Sequence, residues 1–88
     1  MIERDARIVN SLGMHARPAA QLVKLSAQYK SEIEIMKDGL GINGKSIMGV
    51  MMLAAECGST ITFRANGADE AQAVDALCDL VARGFGET

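Results

Sequence analysis

The stretch Glu32-Ile33-Glu34-Ile35-Met36-Lys37-Asp38-Gly39-Leu40-Gly41-Ile42-Asn43 decides the fold. Charged and apolar residues alternate from Glu32 to Lys37, which predicts a half-buried strand with Ile33 and Ile35 facing inward. Asp38-Gly39 is a strong two-residue hairpin signal. The chain is therefore expected to double back as a short antiparallel strand through Leu40, Gly41, Ile42 and Asn43.

Upstream of this hairpin, Ala6-Arg7-Ile8-Val9 and the residues before them read as a first strand, and Asn10-Ser11-Leu12-Gly13 as a turn. From Ala16 to about Ala27 the pattern is helical, with Ala19, Leu22, Val23 and Ser26 on one face. Tyr29-Lys30-Ser31 closes that helix. Downstream, Gly44-Lys45-Ser46 opens a short helix from Ile47 to about Ala54, with Ser46 as its N-cap. Thr60-Ile61-Thr62-Phe63-Arg64-Ala65 alternates again and is the fourth strand, followed by a turn at Asn66-Gly67. Asp69-Glu70-Ala71-Gln72 has the spacing of a capping box. It opens a last helix that buries Val74, Leu77, Cys78 and Val81 and runs to about Arg83, with Gly84 as C-cap. The order is βαββαβα. Short strands with one alternating face predict a four-stranded antiparallel sheet covered on one side by three helices, an α/β (α+β) open-faced sandwich. The 88 residues are expected to form one domain, 1–88.

Bulk properties narrow the function. The net charge is −2 and the nine Lys and Arg are scattered, which argues against a nucleic-acid surface. Base stacking on the sheet would need strand aromatics, and Phe63 is the one candidate. No apolar run approaches the ~18 residues of a membrane span, and Met1-Ile2-Glu3-Arg4-Asp5 has no signal-peptide character. The expected location is the cytoplasm, without membrane insertion. Cys57 and Cys78 match no metal motif and are expected to be reduced, serving as small hydrophobes. No metal and no cofactor is expected. Gly41 and Gly44-Lys45-Ser46 stand too close together for a nucleotide-binding phosphate loop.

The chemistry gathers at Gly13-Met14-His15-Ala16-Arg17-Pro18-Ala19-Ala20. His15, the one histidine, sits where a polar loop becomes a helix. A helix start presents free backbone N–H groups and about half a positive charge, which makes it an anion site. A neutral imidazole there can accept a phosphoryl group. The N–H groups of Ala16 and Arg17, with Ala19 next in line, would face the phosphate oxygens, and Arg17 adds a fixed charge. Pro18 belongs in the first helical turn, where its missing N–H does no harm.

Asn10-Ser11-Leu12-Gly13-Met14-His15-Ala16-Arg17-Pro18-Ala19 closely resembles the active-site segment of the HPr family, the histidine-containing phosphocarriers of the bacterial phosphotransferase system. Gly44-Lys45-Ser46-Ile47-Met48-Gly49-Val50-Met51 resembles that family's regulatory serine segment, and the element order resembles the family throughout. Met14 and the ending Ala82-Arg83-Gly84-Phe85-Gly86-Glu87 lean towards its nitrogen-related branch. Lys45-Ser46-Ile47-Met48 leans towards the kinase-regulated carbohydrate branch. The resemblance implies that His15 is phosphorylated on Nδ1 and that Arg17 neutralises the phosphoryl group. It implies that enzyme I is the donor and enzyme IIA domains the acceptors. It also implies that Ser46 is the target of an HPr kinase/phosphorylase, with a transcriptional regulator as a further partner.

The second helix carries more apolar surface than one buried face needs. Val50 and Leu53 can supply the buried side, which leaves Met48 and Met51 beside His15. Exposed Met suits a surface that meets several partners. A docking patch is expected from Ile47, Met48 and Met51 with Ala16, Ala20 and Lys24 of the first helix, on a monomer. Glu87 is a further candidate for contact with the centre. Rival readings are a binding module without phosphate chemistry, which would not need His15, and a small free-standing enzyme, which would need more convergent polar groups than one His and one Arg.

Overall fold

The computed structural model of the chain describes residues 1–87. The Glu32–Lys37 strand (β2) and the Leu40–Asn43 strand (β3) pair antiparallel from Lys37↔Leu40 to Glu34↔Asn43. Asp38 and Gly39 connect them at φ +51° and +84°, the left-handed pair that a two-residue primed turn demands. The first strand, β1, spans Ile2–Arg7, and the fourth, β4, spans Thr60–Asn66. All pairings are antiparallel and the sheet order is β1-β4-β2-β3. The two central strands show the alternation of the sequence directly. Ile33 and Ile35 of β2 and Ile61, Phe63 and Ala65 of β4 are buried, with polar or charged neighbours between them.

Three helices cover the buried face: α1 (Ala16–Ser26), α2 (Ile47–Met52) and α3 (Glu70–Ala82). Helix α1 buries Pro18, Ala19, Leu22 and Ser26, close to the face read from the sequence. Helix α3 buries Val74, Leu77 and Val81 and also Ala73 and Leu80, while Cys78 is half-buried at its margin. Phe63, the largest fully buried side chain, joins these helices to Ile8, Leu22 and Val50 in one aliphatic core. Its complete burial removes the one strand aromatic that could have stacked on a base.

Three local expectations are corrected. Strand β1 ends at Arg7. Ile8 still exchanges hydrogen bonds with Gly58 and Ser59 and is buried, but Val9 lies outside the strand with its side chain in solvent. Helix α2 stops at Met52, not near Ala54, because Ala54 takes a left-handed backbone, φ +49°, that no helix can contain.

The capping box over Asp69–Gln72 does not form, since Asp69 makes no side-chain cap bond to α3. Its carboxylate turns to the loop between α1 and β2. There Lys30 N–H and Ser31 N–H each donate at 2.9 Å, and Ser31 Oγ donates as well. Glu70, the first helical residue, accepts from Gly67 N–H in the preceding turn at 3.1 Å. The Ser31 hydroxyl and the Lys30 and Ser31 N–H groups lower the Asp69 pKa from 3.8 to about 2. A depressed carboxylate stabilises the fold above its unfolded pKa, and that contribution fades as pH falls from about 4 towards 2. Asp69→Asn is accordingly expected to lower the thermal midpoint at pH 7 and to leave it nearly unchanged at pH 2. Melting both proteins at both pH values checks this.

Candidate functional site

His15 is the N-cap of α1, with an extended backbone at φ −85°, ψ −172° and no side-chain cap bond. The ring is therefore not used in capping, and it stands partly exposed at the positive end of the helix. Ala19 N–H donates to the His15 carbonyl at 3.0 Å, which corrects its assignment to the anion site. Pro18 has no N–H. The groups at the helix start without an intrahelical partner are those of Ala16 and Arg17, as the sequence reading required. Arg17 is exposed and enters no ion pair among the described residues.

The loop that presents the ring is tied down in three places. Gly13 N–H donates to the Asn10 carbonyl at 3.1 Å, His15 N–H to the Gly13 carbonyl at 3.0 Å, and Met14 N–H to the Ala55 carbonyl at 2.7 Å. The last of these fastens the loop to the segment just after α2. Gly13 sits at φ +67°, with that segment so close that a Cβ would lie 2.7 Å from the Ala55 oxygen.

Glu87 arrives from the far end of the chain. Its Oε1 is 2.9 Å from His15 Nε2 and accepts from Asn10 Nδ2 at 2.8 Å, while Asn10 Nδ2 also donates to the Gly13 carbonyl at 2.7 Å. The hydrogen bond from His15 and that from Asn10 hold the Glu87 carboxyl below the usual carboxylate range. A carboxylate only accepts, so its contact favours the tautomer protonated on Nε2, which leaves the lone pair on Nδ1. A left-handed turn delivers Glu87. Gly84, Phe85 and Gly86 have φ +62°, +58° and +76°. Phe85 is the non-glycine among them, and that backbone costs about 1–2 kcal/mol. Burial of its ring in the core offsets this, being worth roughly 1.5–3 kcal/mol.

Ser46 is the N-cap of α2, and its Oγ accepts from Gly49 N–H at 3.2 Å. Val50 and Leu53 are buried as expected, while Ile47, Met48 and Met51 are exposed. Helix α2 packs on α1, whose Ala16, Ala20 and Lys24 are also in solvent. The expected docking residues thus lie on two adjoining helices. Sequence reasoning left Leu12 and Met52, both exposed apolar side chains, out of the docking patch and read Asn10 as a turn residue. An apolar residue inside a polar loop was the available signal for Leu12, but no local signal marked the bond from Asn10 to Glu87, 77 positions away.

Cys57 is exposed after α2, which corrects its reading as a buried small hydrophobe. Cys78 fits that reading better, and burial pushes its thiol upward. Both are free thiols. Among the described residues no group of three His, Cys, Asp or Glu could hold a metal ion, and no helix is long and apolar enough to cross a membrane.

A family model described as the phosphorylation site of the phosphotransferase-system HPr component matches residues 2–83. The chain belongs to the HPr family. It is 48% identical over 87 residues to phosphocarrier protein HPr of Cupriavidus necator, covering 99% of this chain and 98% of that one. A crystal structure of HPr from Thermoanaerobacter tengcongensis superposes with a TM-score of 0.96 at 42% identity, covering 100% of this chain and 99% of the other. The Bacillus subtilis catabolite repression protein Crh, described as a dimer with a swapped domain, matches with a TM-score of 0.77 at 36% identity over 96% of this chain and 97% of that one. The HPr fold expected from the sequence, an antiparallel four-stranded sheet under three helices, is the fold observed.

Proposed function

We propose that this HPr-family chain is a single-domain phosphocarrier, 1–88, that takes a phosphoryl group from phosphorylated enzyme I onto His15 Nδ1 and passes it to enzyme IIA domains. The observation that carries the reading is the seat of His15, capped by Glu87 on Nε2 at 2.9 Å and placed at the open start of an 11-residue helix. Nδ1 attacks the phosphorus and the bond to the donor breaks. The oxygens then meet the N–H groups of Ala16 and Arg17 and the Arg17 guanidinium. The balance stays modest, because a carrier must release what it accepts. The donor and acceptor proteins supply most of the transition-state stabilisation, so the chain needs neither metal nor cofactor of its own. It works in the cytoplasm as a monomer, since His15 and the docking helices must face successive partners.

Docking falls to Ile47, Met48 and Met51 of α2 with Ala20 and Lys24 of α1. Ser46 phosphorylation by an HPr kinase/phosphorylase would place about −1.5 to −2 charges at the start of α2. A helix N-terminus accepts that charge, so the fold survives while an acidic partner face is repelled. Ser46→Asp is expected to keep the cap and slow phosphoryl uptake. Ser46→Ala is expected to cost about 1 kcal/mol in urea unfolding and leave uptake nearly unchanged. The same chemistry would let a phosphorylated form engage a transcriptional regulator.

The deciding experiment mixes the chain with enzyme I and phosphoenolpyruvate and looks for an acid-labile mass increase of one phosphoryl group. A folded chain that gains none beside an active cognate enzyme I overturns the reading. Arg17→Ala is expected to slow the gain without lowering the melting temperature, and equal rates would remove Arg17 from the mechanism.

A further inference from the structure

Half of the methionines of this chain stand on one six-residue helix. Met48, Met51 and Met52 occupy positions i, i+3 and i+4 of α2, which places them on one stripe. They are 75%, 44% and 66% exposed, whereas Met14, beside His15 in sequence, is 6% exposed. None of the three belongs to the buried core. Val50 and Leu53 anchor it in the core, and the Ser46 cap fixes its start. The helix therefore keeps its seat when the three thioether ends change character.

We propose that Met48, Met51 and Met52 form an oxidation site for small two-electron peroxides, and that their conversion to sulfoxides weakens partner docking on α2. The consequence for docking rests on the phosphocarrier reading above. In each event a thioether sulfur attacks the peroxide, an S–O bond forms and the O–O bond breaks. Sulfur loses two electrons, and the peroxide is reduced to water or an alcohol. The product is polar and chiral where the patch was flexible and apolar. An unpaired sulfoxide oxygen pressed into an apolar interface carries the penalty of any buried acceptor without a donor. Methionine sulfoxide reductases return the thioether, one enzyme for each epimer, so the change is reversible. The stripe is then a second switch on the helix that Ser46 caps, operated by oxidant instead of a kinase.

The test treats the full chain with dilute hydrogen peroxide and maps added oxygen atoms by peptide mass spectrometry. Phosphoryl uptake from enzyme I is measured before and after, in a Cys57→Ser background that removes the exposed thiol. Met48, Met51 and Met52 are expected to gain one oxygen each before Met14 does. Uptake is expected to slow by about tenfold, with the circular dichroism spectrum unchanged and the rate restored by the two reductases. A variant carrying Met48→Leu, Met51→Leu and Met52→Leu is expected to show the same rate before and after peroxide, whatever its starting rate. Oxidation of Met14 in step with the other three overturns the site. Full oxidation of the stripe with an unchanged uptake rate overturns the switch, as does loss of rate in the leucine variant. A chain that takes up no phosphoryl group before treatment overturns the phosphocarrier reading instead, and the mass map alone then decides the modification.

Discussion

His15→Ala is expected to abolish phosphoryl uptake while leaving the fold intact. The ring is partly exposed and makes no side-chain cap bond, so its loss removes little that holds α1 in place. No other imidazole exists in the chain to accept the group. Neither free cysteine replaces it: Cys78 is half-buried, and Cys57 follows α2 and sits outside the helix start that would hold the phosphate oxygens. Mixing the variant with enzyme I and phosphoenolpyruvate, beside its melting curve, checks both halves of the expectation. Residual acid-labile adduct on a folded His15→Ala chain would assign the chemistry to another residue.

The second large effect is expected at Gly13. A side chain there must adopt φ +67°, at about 1–2 kcal/mol. Its Cβ must also enter a space already filled by backbone, 2.7 Å from the Ala55 oxygen and 2.9 Å from Glu56 Cα. Backbone cannot rotate out of the way as a side-chain end can, so the loop or the 55–57 segment has to shift, at roughly 1–3 kcal/mol more. Gly13→Ala is thus expected to lose about 2–5 kcal/mol, a large share of the ~5–15 kcal/mol that holds a domain together. The shift would break the Met14 N–H bond to Ala55 and carry His15 off its seat. Urea unfolding and the uptake rate are expected to fall together. A Gly13→Ala chain as stable as the parent would show that the loop is not locked against the α2 exit.

What the sequence shows is the set of features governed by neighbours. The β2–β3 hairpin was legible because period-two alternation and Asp38-Gly39 act within a few residues. Burial of Val50 and Leu53 followed from helical spacing alone, and with it the exposure of Met48 and Met51. Asp69 shows the boundary of such reasoning. Its spacing to Gln72 satisfies a local rule, yet Lys30 and Ser31, 39 and 38 positions away, compete for the same carboxylate and win by offering three donors between them. Helix α2 ran short of its predicted end because nothing adjacent to Ala54 signals a left-handed backbone. The same holds for the centre. His15 and Arg17 were visible as a motif, and Glu87 could be named as a candidate. Its seat depends on a turn whose handedness is decided by burial of Phe85, a tertiary event.

That turn has a consequence for how the molecule comes into being. The contact between His15 and Glu87 closes a span of 72 positions, and its partner from Asn10 closes 77. Closing so long a span before anything else is ordered is entropically unfavourable. The junction is therefore expected to form after β1 has found β4 and α3 has settled on the sheet. Contacts made late are lost early, and they govern how fast a protein opens more than how fast it folds. An incompletely folded chain would display the His15 motif in full and still lack a seated ring. Competence under the proposed carrier reading would thus double as a certificate of maturation, issued only when Asn10 and His15 have met Glu87.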